Sequence, residues 1–377
     1  MELLVFSLFA AALLVCVIFH ISLLFALLLG YVIFALYAIR KGFSLPEVLG
    51  MSAQGVRAAK NILTTFVLIG ILTSLWRAGG TIPAIVCYSV RVMEPRLFLV
   101  CSFLLNCLVS FLTGTAFGSA ATMGAVCMTM AAALGADPLM TGGAILSGVY
   151  FGDRCSPVST SALLVADLTG TDLFGNIRQM LRTCLVPFAL AAGLYLLFGL
   201  SSPAAGQAAD IAPLFALEFR LGPLPLIPAA LILVLSALRV RVKAAMLASI
   251  AAAAVLCLAY QGAAPLTLLK DAVLGFSAQS PELATMIDGG GIVSMLQVGA
   301  IVCLSSSYSG IFQRTGLLEP IRRRIEAWGA VLSPYAAVLV TSVLASAIAC
   351  NQTLSIMLTH QLCGGLEKSR EKLAIYL

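Results

Sequence analysis

Long apolar runs recur along this chain and constrain its fold more than any other feature. Each holds roughly 16–26 residues, and about 20 helical residues are enough to cross 30 Å of hydrocarbon. Lipid gives the backbone no hydrogen-bond partner, and the runs are too long and too little alternating for β-strands. The chain is therefore expected to cross a membrane as helices at 3–19, 21–39, 61–76, 97–113, 117–135, 140–165, 184–200, 223–239, 243–262, 291–313 and 331–350, with a shorter run at 352–366.

The composition excludes several classes of protein. Of the 377 residues, 61% are hydrophobic and only 10% are charged, whereas soluble domains carry about 25% charged residues. So few charges cannot cover a soluble surface, which excludes a soluble enzyme, a nucleic-acid-binding protein and a disordered scaffold. The expected fold class is an all-α polytopic membrane protein of the plasma membrane, with about 11–12 transmembrane helices surrounded by lipid.

No enzyme, cofactor or resident metal site is predicted. The sequence contains no GxxxxGK[ST], HExxH or GxSxG motif, so neither ATP hydrolysis nor these hydrolase chemistries are expected. The 11 cysteines are scattered without a CxxC pair, and the only histidines are His20 and His360. Buried cysteine as a small hydrophobic residue is the favoured interpretation. The composition does not determine the oligomeric state, and a homo-oligomer is one possibility.

Lysine and arginine predict the orientation of the helices, because they accumulate in cytoplasmic loops. The connections at 40–60, 167–183, 239–243 and 314–328 are basic and are expected in the cytoplasm. The connections at 201–222 and 263–290 are poor in these residues and are expected outside. Residues 77–96 disagree, since they carry three arginines although alternation places them outside.

Two stretches suggest an internal repeat. Arg77–Pro83 matches Arg314–Pro320 in its arginine, glycine and proline at an offset of 237 residues, and Thr115 matches Thr353 at an offset of 238. The pattern of a pair of runs, an amphipathic connection and a long run begins at residue 3 and again at residue 223.

The repeat predicts the domain organisation. Residues 1–200 form the first transmembrane repeat, 201–222 an external linker and 223–377 the second repeat. The first repeat holds seven passes, an odd number, so the second is expected to be inverted, as in many secondary transporters. The second copy of the segment around Asp153 would fall beyond the last residue, so the second repeat looks incomplete and a truncated chain is one interpretation.

The densest polar segment inside apolar sequence is Gly148–Ser161. Gly148 and Gly152 are expected to loosen a helix there, and Pro157 removes a backbone donor. Carbonyl groups freed by such a break, together with carboxylate and hydroxyl oxygens, suit a small cation such as sodium. The alternative is an interfacial turn that only ends a helix. The predicted ligands are Asp153, Ser156, Ser159 and Thr160.

A second break is predicted between two apolar runs at 113–119, where glycines and hydroxyl groups occur without charge. The corresponding segment of the second repeat, at 351–353, is also polar. Two breaks at matching positions point to half-helix ends at one central site, whereas packing through small residues is the alternative. These additional candidate residues are Thr113, Gly114, Thr115, Ser119, Asn351, Gln352 and Thr353.

Two weaker signals occur in the second half of the chain. The hydroxyl groups of Ser305–Ser309 either line a pathway or, as we favour, bond back to their own helix. His360 either relays protons or is an ordinary polar residue on a helix face, and the latter is favoured.

The sequence from Gly148 to Met180 resembles the signature of the NhaC-type sodium/proton antiporters of the ion transporter superfamily, and Trp76–Pro83 and Thr113–Gly118 resemble two further family segments. The likeness is good over about 60–180. It implies ion-coupled exchange with sodium and protons as coupling ions, and it implies that Asp153, the acid of the Gly-Asp-x-x-Ser-Pro motif, lies near the site. One family feature is absent, because Thr160 stands where a second acid usually follows.

Three functions remain open from the sequence. The first is a sodium/proton antiporter, and the second is a sodium-coupled carrier of a small carboxylate or amino acid, since members of the superfamily also carry such molecules. The third is a non-transporting membrane subunit, which the missing last helices favour.

The orientation can be tested by single-cysteine labelling in a cysteine-free background. We expect a cysteine introduced at position 241 to react only with reagents that reach the cytoplasm, because Arg241 and Lys243 make this turn basic. Labelling of this position from outside would contradict both the orientation and the inverted repeat.

Overall fold

The computed structural model describes residues 2–157, 159–201, 212–238, 240–317, 319, 322–325, 327, 333–349 and 352–377. Within these residues the chain forms helices and no β-strand, apart from an isolated bridge between Phe276 and Gly289. The helices are α1 Glu2–Ile18, α2 Leu23–Arg40, α3 Leu45–Ala58, α4 Lys60–Ala78, α5 Thr81–Val92, α6 Phe98–Thr113, α7 Ala116–Ser119, α8 Ala125–Leu134, α9 Pro138–Cys155, α10 Thr160–Thr169, α11 Leu173–Ser201, α12 Ala212–Glu218, α13 Ile227–Ala237, α14 Val242–Val255, α15 Pro265–Leu274, α16 Pro281–Ile287, α17 Gly291–Ser294, α18 Leu296–Thr315, α19 Pro334–Ala349, α20 Gln352–Cys363 and α21 Arg370–Tyr376.

The protein is an all-α polytopic membrane protein, as its composition predicts. Among the described residues, six helices are long and apolar enough to cross a membrane, and five shorter apolar helices accompany them. The total of 11–12 spans stays a prediction. The six are Leu23–Arg40, Lys60–Ala78, Pro95–Thr113, Ala116–Leu134, Leu173–Ser201 and Val242–Tyr260.

The chain forms two compact units, and each contains residues from both halves of the sequence. The first comprises Met1–Thr64, Leu164–Asp172 and Leu296–Leu377, and the second comprises Thr65–Leu163 and Leu173–Met295. The predicted division at 1–200 and 223–377 concerns the repeats and stays a prediction. Residues 202–211 of the predicted linker lie outside the described residues.

Helix boundaries in the two halves correspond at an offset of 236 residues, such as 334 minus 98. Helices α6 and α19 each hold 16 residues at this offset, and two residues separate each of them from the helix that follows, α7 and α20. Ser44 and Ser280 precede α3 and α16 at the same offset. The internal repeat stays a prediction. At the offset of these helix boundaries Thr115 corresponds to position 351, whereas the motif match at an offset of 238 pairs it with Thr353.

A pair of close helix crossings follows the same offset. In the first unit, Gly55 of α3 faces the carbonyl group of Ser306 in α18 so closely that a Cβ atom would overlap it. In the second unit, a Cβ atom on Gly70 of α4 would lie 2.5 Å from the carbonyl oxygen of Gly291. Position 291 is 55 plus 236, and position 306 is 70 plus 236. The second crossing thus repeats the first with the two halves exchanged.

Aromatic side chains fill the core of the first unit. Phe9, Phe34 and Tyr308 are fully buried and pack edge to face, with Phe34 and Tyr308 ring centroids 5.1 Å apart. The Tyr308 hydroxyl donates a hydrogen bond to the carbonyl oxygen of Leu27, which joins α18 to α2.

The serine-rich part of α18 bonds to its own helix. Ser305 and Ser307 donate to the carbonyl oxygens of Val302 and Leu304, at 3.2 and 2.6 Å. The interpretation favoured from the sequence is therefore confirmed for these two residues.

The crossing of α3 with α18 predicts a sharp difference between two glycines of one helix. Gly55→Ala should destabilise the protein by about 1–3 kcal/mol, because the new methyl group meets the Ser306 backbone. Gly50→Ala is the matched control, since no atom lies within 4 Å of its added Cβ atom. It should be neutral or stabilising by up to about 1 kcal/mol. Thermal unfolding in detergent measures both, and equal effects would contradict the crossing.

Candidate functional site

Helix α9, which carries Asp153, packs directly on the backbone of α6. A Cβ atom on Gly148 would lie 2.6 Å from the Phe103 carbonyl oxygen, and one on Gly152 would lie 2.5 Å from the Cys107 carbonyl oxygen. These glycines, four residues apart, let two helices approach as small residues do in membranes. The expectation that they loosen the helix is wrong, because α9 continues unbroken to Cys155.

A break follows α9, as Pro157 predicts. Ser156 adopts an extended backbone conformation after the last helical residue, and α10 begins at Thr160. The Ser156 hydroxyl donates to the carbonyl oxygen of Phe111, 2.7 Å away near the end of α6. The break is therefore held against α6 by a side-chain hydrogen bond.

Asp153 lies in the last turn of α9 and is 3% exposed. Its Oδ1 accepts a hydrogen bond from Ser159 Oγ at 2.8 Å, and its Oδ2 accepts one from Ser161 Oγ at 3.4 Å. Ser159 Oγ in turn accepts from the backbone amides of Ser161 and Ala162, at 3.1 and 3.3 Å. Ser159 thus acts as the N-cap of α10 and connects the carboxylate to the end of that helix where partial positive charge accumulates.

The structure brings together only part of the first predicted ligand set. Ser159 contacts Asp153, whereas the Ser156 hydroxyl donates to α6 and the side chain of Thr160 is exposed. Ser161, which was not among the predicted ligands, provides the second hydroxyl group. Residues 159–161 all carry hydroxyl groups, so the sequence alone does not indicate which of them contact Asp153. That depends on which residues of α10 face α9.

The segment 113–119 forms the predicted break between α6 and α7. Gly114 has a φ of +65° and ends α6, and Thr115 Oγ1 accepts from the Gly118 amide at 3.4 Å. The hydroxyl groups of Thr113 and Ser119 bond to each other at 2.8 Å and are buried. Since Ser156 reaches the last turn of α6, the two breaks of the first half adjoin.

The break of the second half lies between α19 and α20. Asn351 lies outside the described residues, Gln352 is half-buried and Thr353 is exposed. Ser346 and Ser355 bond to each other at 2.7 Å, and Ser355 corresponds to Ser119 at the offset of 236. The predicted approach of this break to the one at 113–119 stays a prediction.

Asp153 is the one acidic or basic side chain classed as buried among the residues whose burial is described. A carboxylate in an apolar region is costly unless it is neutralised, which makes it a functional candidate. No group of three or more His, Cys, Asp or Glu suited to a bound metal occurs among the described residues. The geometry is that of a single carboxylate with two hydroxyl partners at a helix break.

Comparison with known proteins decides the family. The profile of the Na+/H+ antiporter family matches residues 1–166 and 148–371. The chain belongs to this family. It is a secondary active transporter of the sodium/proton antiporter type and a multi-pass protein of the plasma membrane, with sodium and protons as coupling ions.

Relatives of the chain are named for different activities. The chain is 27% identical to the malate-2H(+)/Na(+)-lactate antiporter of Bacillus subtilis, over 92% of this chain and 75% of the relative. It is 29% identical to the Na(+)/H(+) antiporter NhaC of Alkalihalophilus pseudofirmus, over 90% and 74%. It is 26% identical to the arginine/ornithine antiporter ArcD of Halobacterium salinarum, over 82% and 65%. No solved structure matches the chain.

The cap of α10 yields a stability prediction. Ser159→Ala removes the N-cap and one hydrogen bond to Asp153, so it should destabilise the protein by about 1–2 kcal/mol. Thr160→Ala, in the next position and exposed, should change stability by less than about 0.5 kcal/mol. Thermal unfolding of the two purified variants measures the difference. A larger loss in Thr160→Ala would contradict the assignment of Ser159 as the cap.

Proposed function

We propose that Asp153 is the residue that takes up sodium and protons in turn. A buried ionised carboxylate is costly, and either a proton or a cation removes that cost. One carboxylate cannot hold both at once, so uptake of one ion requires release of the other. Such competition at a single group is the simplest basis for exchange. The proposed exchange involves no enzymatic reaction.

The hydroxyl groups of Ser159 and Ser161 complete the proposed site. Both donate to the carboxylate oxygens of Asp153. A serine hydroxyl group can also turn its hydrogen away and offer its oxygen to a cation. Ser161 is the freer of the two, because Ser159 Oγ already accepts from two backbone amides. The observation that carries the proposal is the burial of Asp153 beside these groups at the break.

The exposed apolar surface of the chain indicates what surrounds it. Leu185, Val186 and Leu190 of α11 are each more than 60% exposed. We infer that lipid covers this helix face, since α11 is apolar and long enough to span. A homo-oligomer, in which a second copy covers part of the face, is the alternative partner.

A second candidate function is a sodium-coupled carrier of a small carboxylate or amino acid. Two relatives are named for exchange of malate and lactate and of arginine and ornithine. Thr160 stands at the position where the family usually has a second acid, and the Thr160 side chain is exposed rather than beside Asp153. A site with one carboxylate has less negative charge to hold a cation, which favours an additional substrate.

The role of Asp153 is tested in proteoliposomes that contain a pH-sensitive dye. Asp153→Asn keeps the shape of the side chain and removes its charge, so sodium-evoked proton movement should be lost while the protein remains folded. Asp167→Asn is the matched control, because Asp167 is exposed on α10 and should leave exchange unchanged. Wild-type exchange by Asp153→Asn would refute the proposal.

The same vesicles distinguish the two candidate functions. A sodium gradient alone should move protons if the protein is a sodium/proton antiporter. If proton or sodium movement requires added malate, lactate, arginine or ornithine, the second function is correct instead.

A further inference from the structure

Arg77 is a cationic side chain with unused hydrogen-bond donors near the end of the membrane-spanning helix α4. Its Nη1 donates to the carbonyl oxygen of Thr73 at 3.0 Å, while its Nε is buried and makes no hydrogen bond to the described residues. Among those residues, no carboxylate oxygen lies within 4 Å of its nitrogens. A charged group in a membrane span is costly without a partner and is a functional candidate by default.

A glycine-rich segment lies against α4 within one turn of Arg77. Gly289, Gly290 and Gly291 have φ values of +124°, +78° and +79°, which glycine alone adopts readily. A Cβ atom on Gly290 would lie 2.6 Å from the Ser74 backbone nitrogen, and Gly291 meets Gly70 one turn earlier. The segment therefore runs along α4 from Gly70 toward Arg77 and carries Asp288 in that direction.

Asp288 attracts Arg77 electrostatically but does not occupy its donors. Its own carboxylate accepts from the Ala278 amide at 2.7 Å and from the Ser277 hydroxyl at 3.0 Å. Glu218, on α12, accepts from the amides of Gln279 and Ser280 in the same connection. Both acids are thus engaged by backbone groups around 277–280, and the guanidinium remains open to another anion.

We propose that Arg77 binds the carboxylate group of a small organic anion. A guanidinium presents Nε and an Nη nitrogen as a planar fork that matches the two oxygens of a carboxylate. The unpartnered Nε is one arm of such a fork, and the Arg77 side chain as a whole is partly exposed although its Nε is covered. The inference rests on the transporter assignment and not on the role proposed for Asp153.

The nearby charge of Asp288 has a defined effect in this site. It competes with an incoming carboxylate for the same guanidinium, so it weakens binding of any anion. Removing that charge should therefore tighten binding, whereas a purely structural attraction between Asp288 and Arg77 would give no such gain. This difference separates a ligand site from a stabilising pair.

The experiment measures binding of malate and lactate to the full-length protein in detergent, with sodium chloride at equal ionic strength as the reference. Calorimetry gives the affinity, and a rise in unfolding temperature with concentration reports it independently. We expect one or both acids to bind the wild type. Arg77→Gln should weaken binding about tenfold or more, and Arg77→Lys should retain part of it, because it keeps the charge without the fork. Arg96→Gln, an exposed arginine of the same unit, is the matched control and should bind as the wild type does.

Asp288→Asn keeps the test decisive if Arg77→Gln does not fold. It should bind the acids several-fold more tightly than the wild type. Binding of neither acid to the wild type, unchanged affinity in Arg77→Gln, or unchanged or weaker affinity in Asp288→Asn would each overturn the proposal. Failure of sodium/proton exchange in vesicles would affect only the role of Asp153, since binding in detergent requires no exchange.

Discussion

Every place where a helix stops inside this protein must supply its own hydrogen-bond partners, because hydrocarbon offers none. The break after α9 meets this requirement with serine side chains. Ser156 donates to a carbonyl group of α6, and Ser159 caps α10. The break after α6 meets it with Gly114 and with the Thr115 cap. Ser159, which caps the break after α9, is also a hydrogen-bond partner of Asp153, so local structure and the candidate chemistry share this residue.

Close packing of α6 and α9 fixes the position of Asp153. Gly148 and Gly152 let α9 lie on the α6 backbone, and the Ser110 hydroxyl donates to the Val149 carbonyl oxygen at 2.6 Å. This contact holds the last turn of α9 in place without any charged group. In the role proposed for Asp153, the carboxylate would lose or gain an ion while the helix that carries it stays fixed.

The sequence was sufficient for features that follow from local chemistry. Apolar run lengths predict the membrane helices, Pro157 predicts the break after α9, and the glycine and hydroxyl residues at 113–119 predict the break after α6. It was insufficient where the answer depends on which way a helix faces. Gly148 and Gly152 suit a flexible helix and a tightly packed one equally well, and only the neighbouring α6 distinguishes the two. Ser161 was missed for the same reason, since the phase of α10 selects it over Thr160.

The segment around Arg77 and Asp288 shows another limit. Three consecutive glycines indicate an irregular backbone, but nothing in their sequence identifies α4 as the helix on which they lie. That contact joins residues more than 200 positions apart. Short motifs report local conformation, whereas long-range packing brings a lone arginine and a distant acid into one electrostatic environment.

The paired glycine crossings also determine when the protein can complete its packing during synthesis. Gly55 packs against the backbone at Ser306, and Gly70 packs against the backbone at Gly291. Ser306 and Gly291 therefore leave the ribosome long after α3 and α4. Chains fold as they emerge, at about 5–20 residues per second, so α3 and α4 remain without these neighbours for roughly ten seconds or more. During that interval their glycine faces contact lipid or the insertion machinery instead. The first half of the chain thus completes its packing at these two crossings only after the second half has been synthesised.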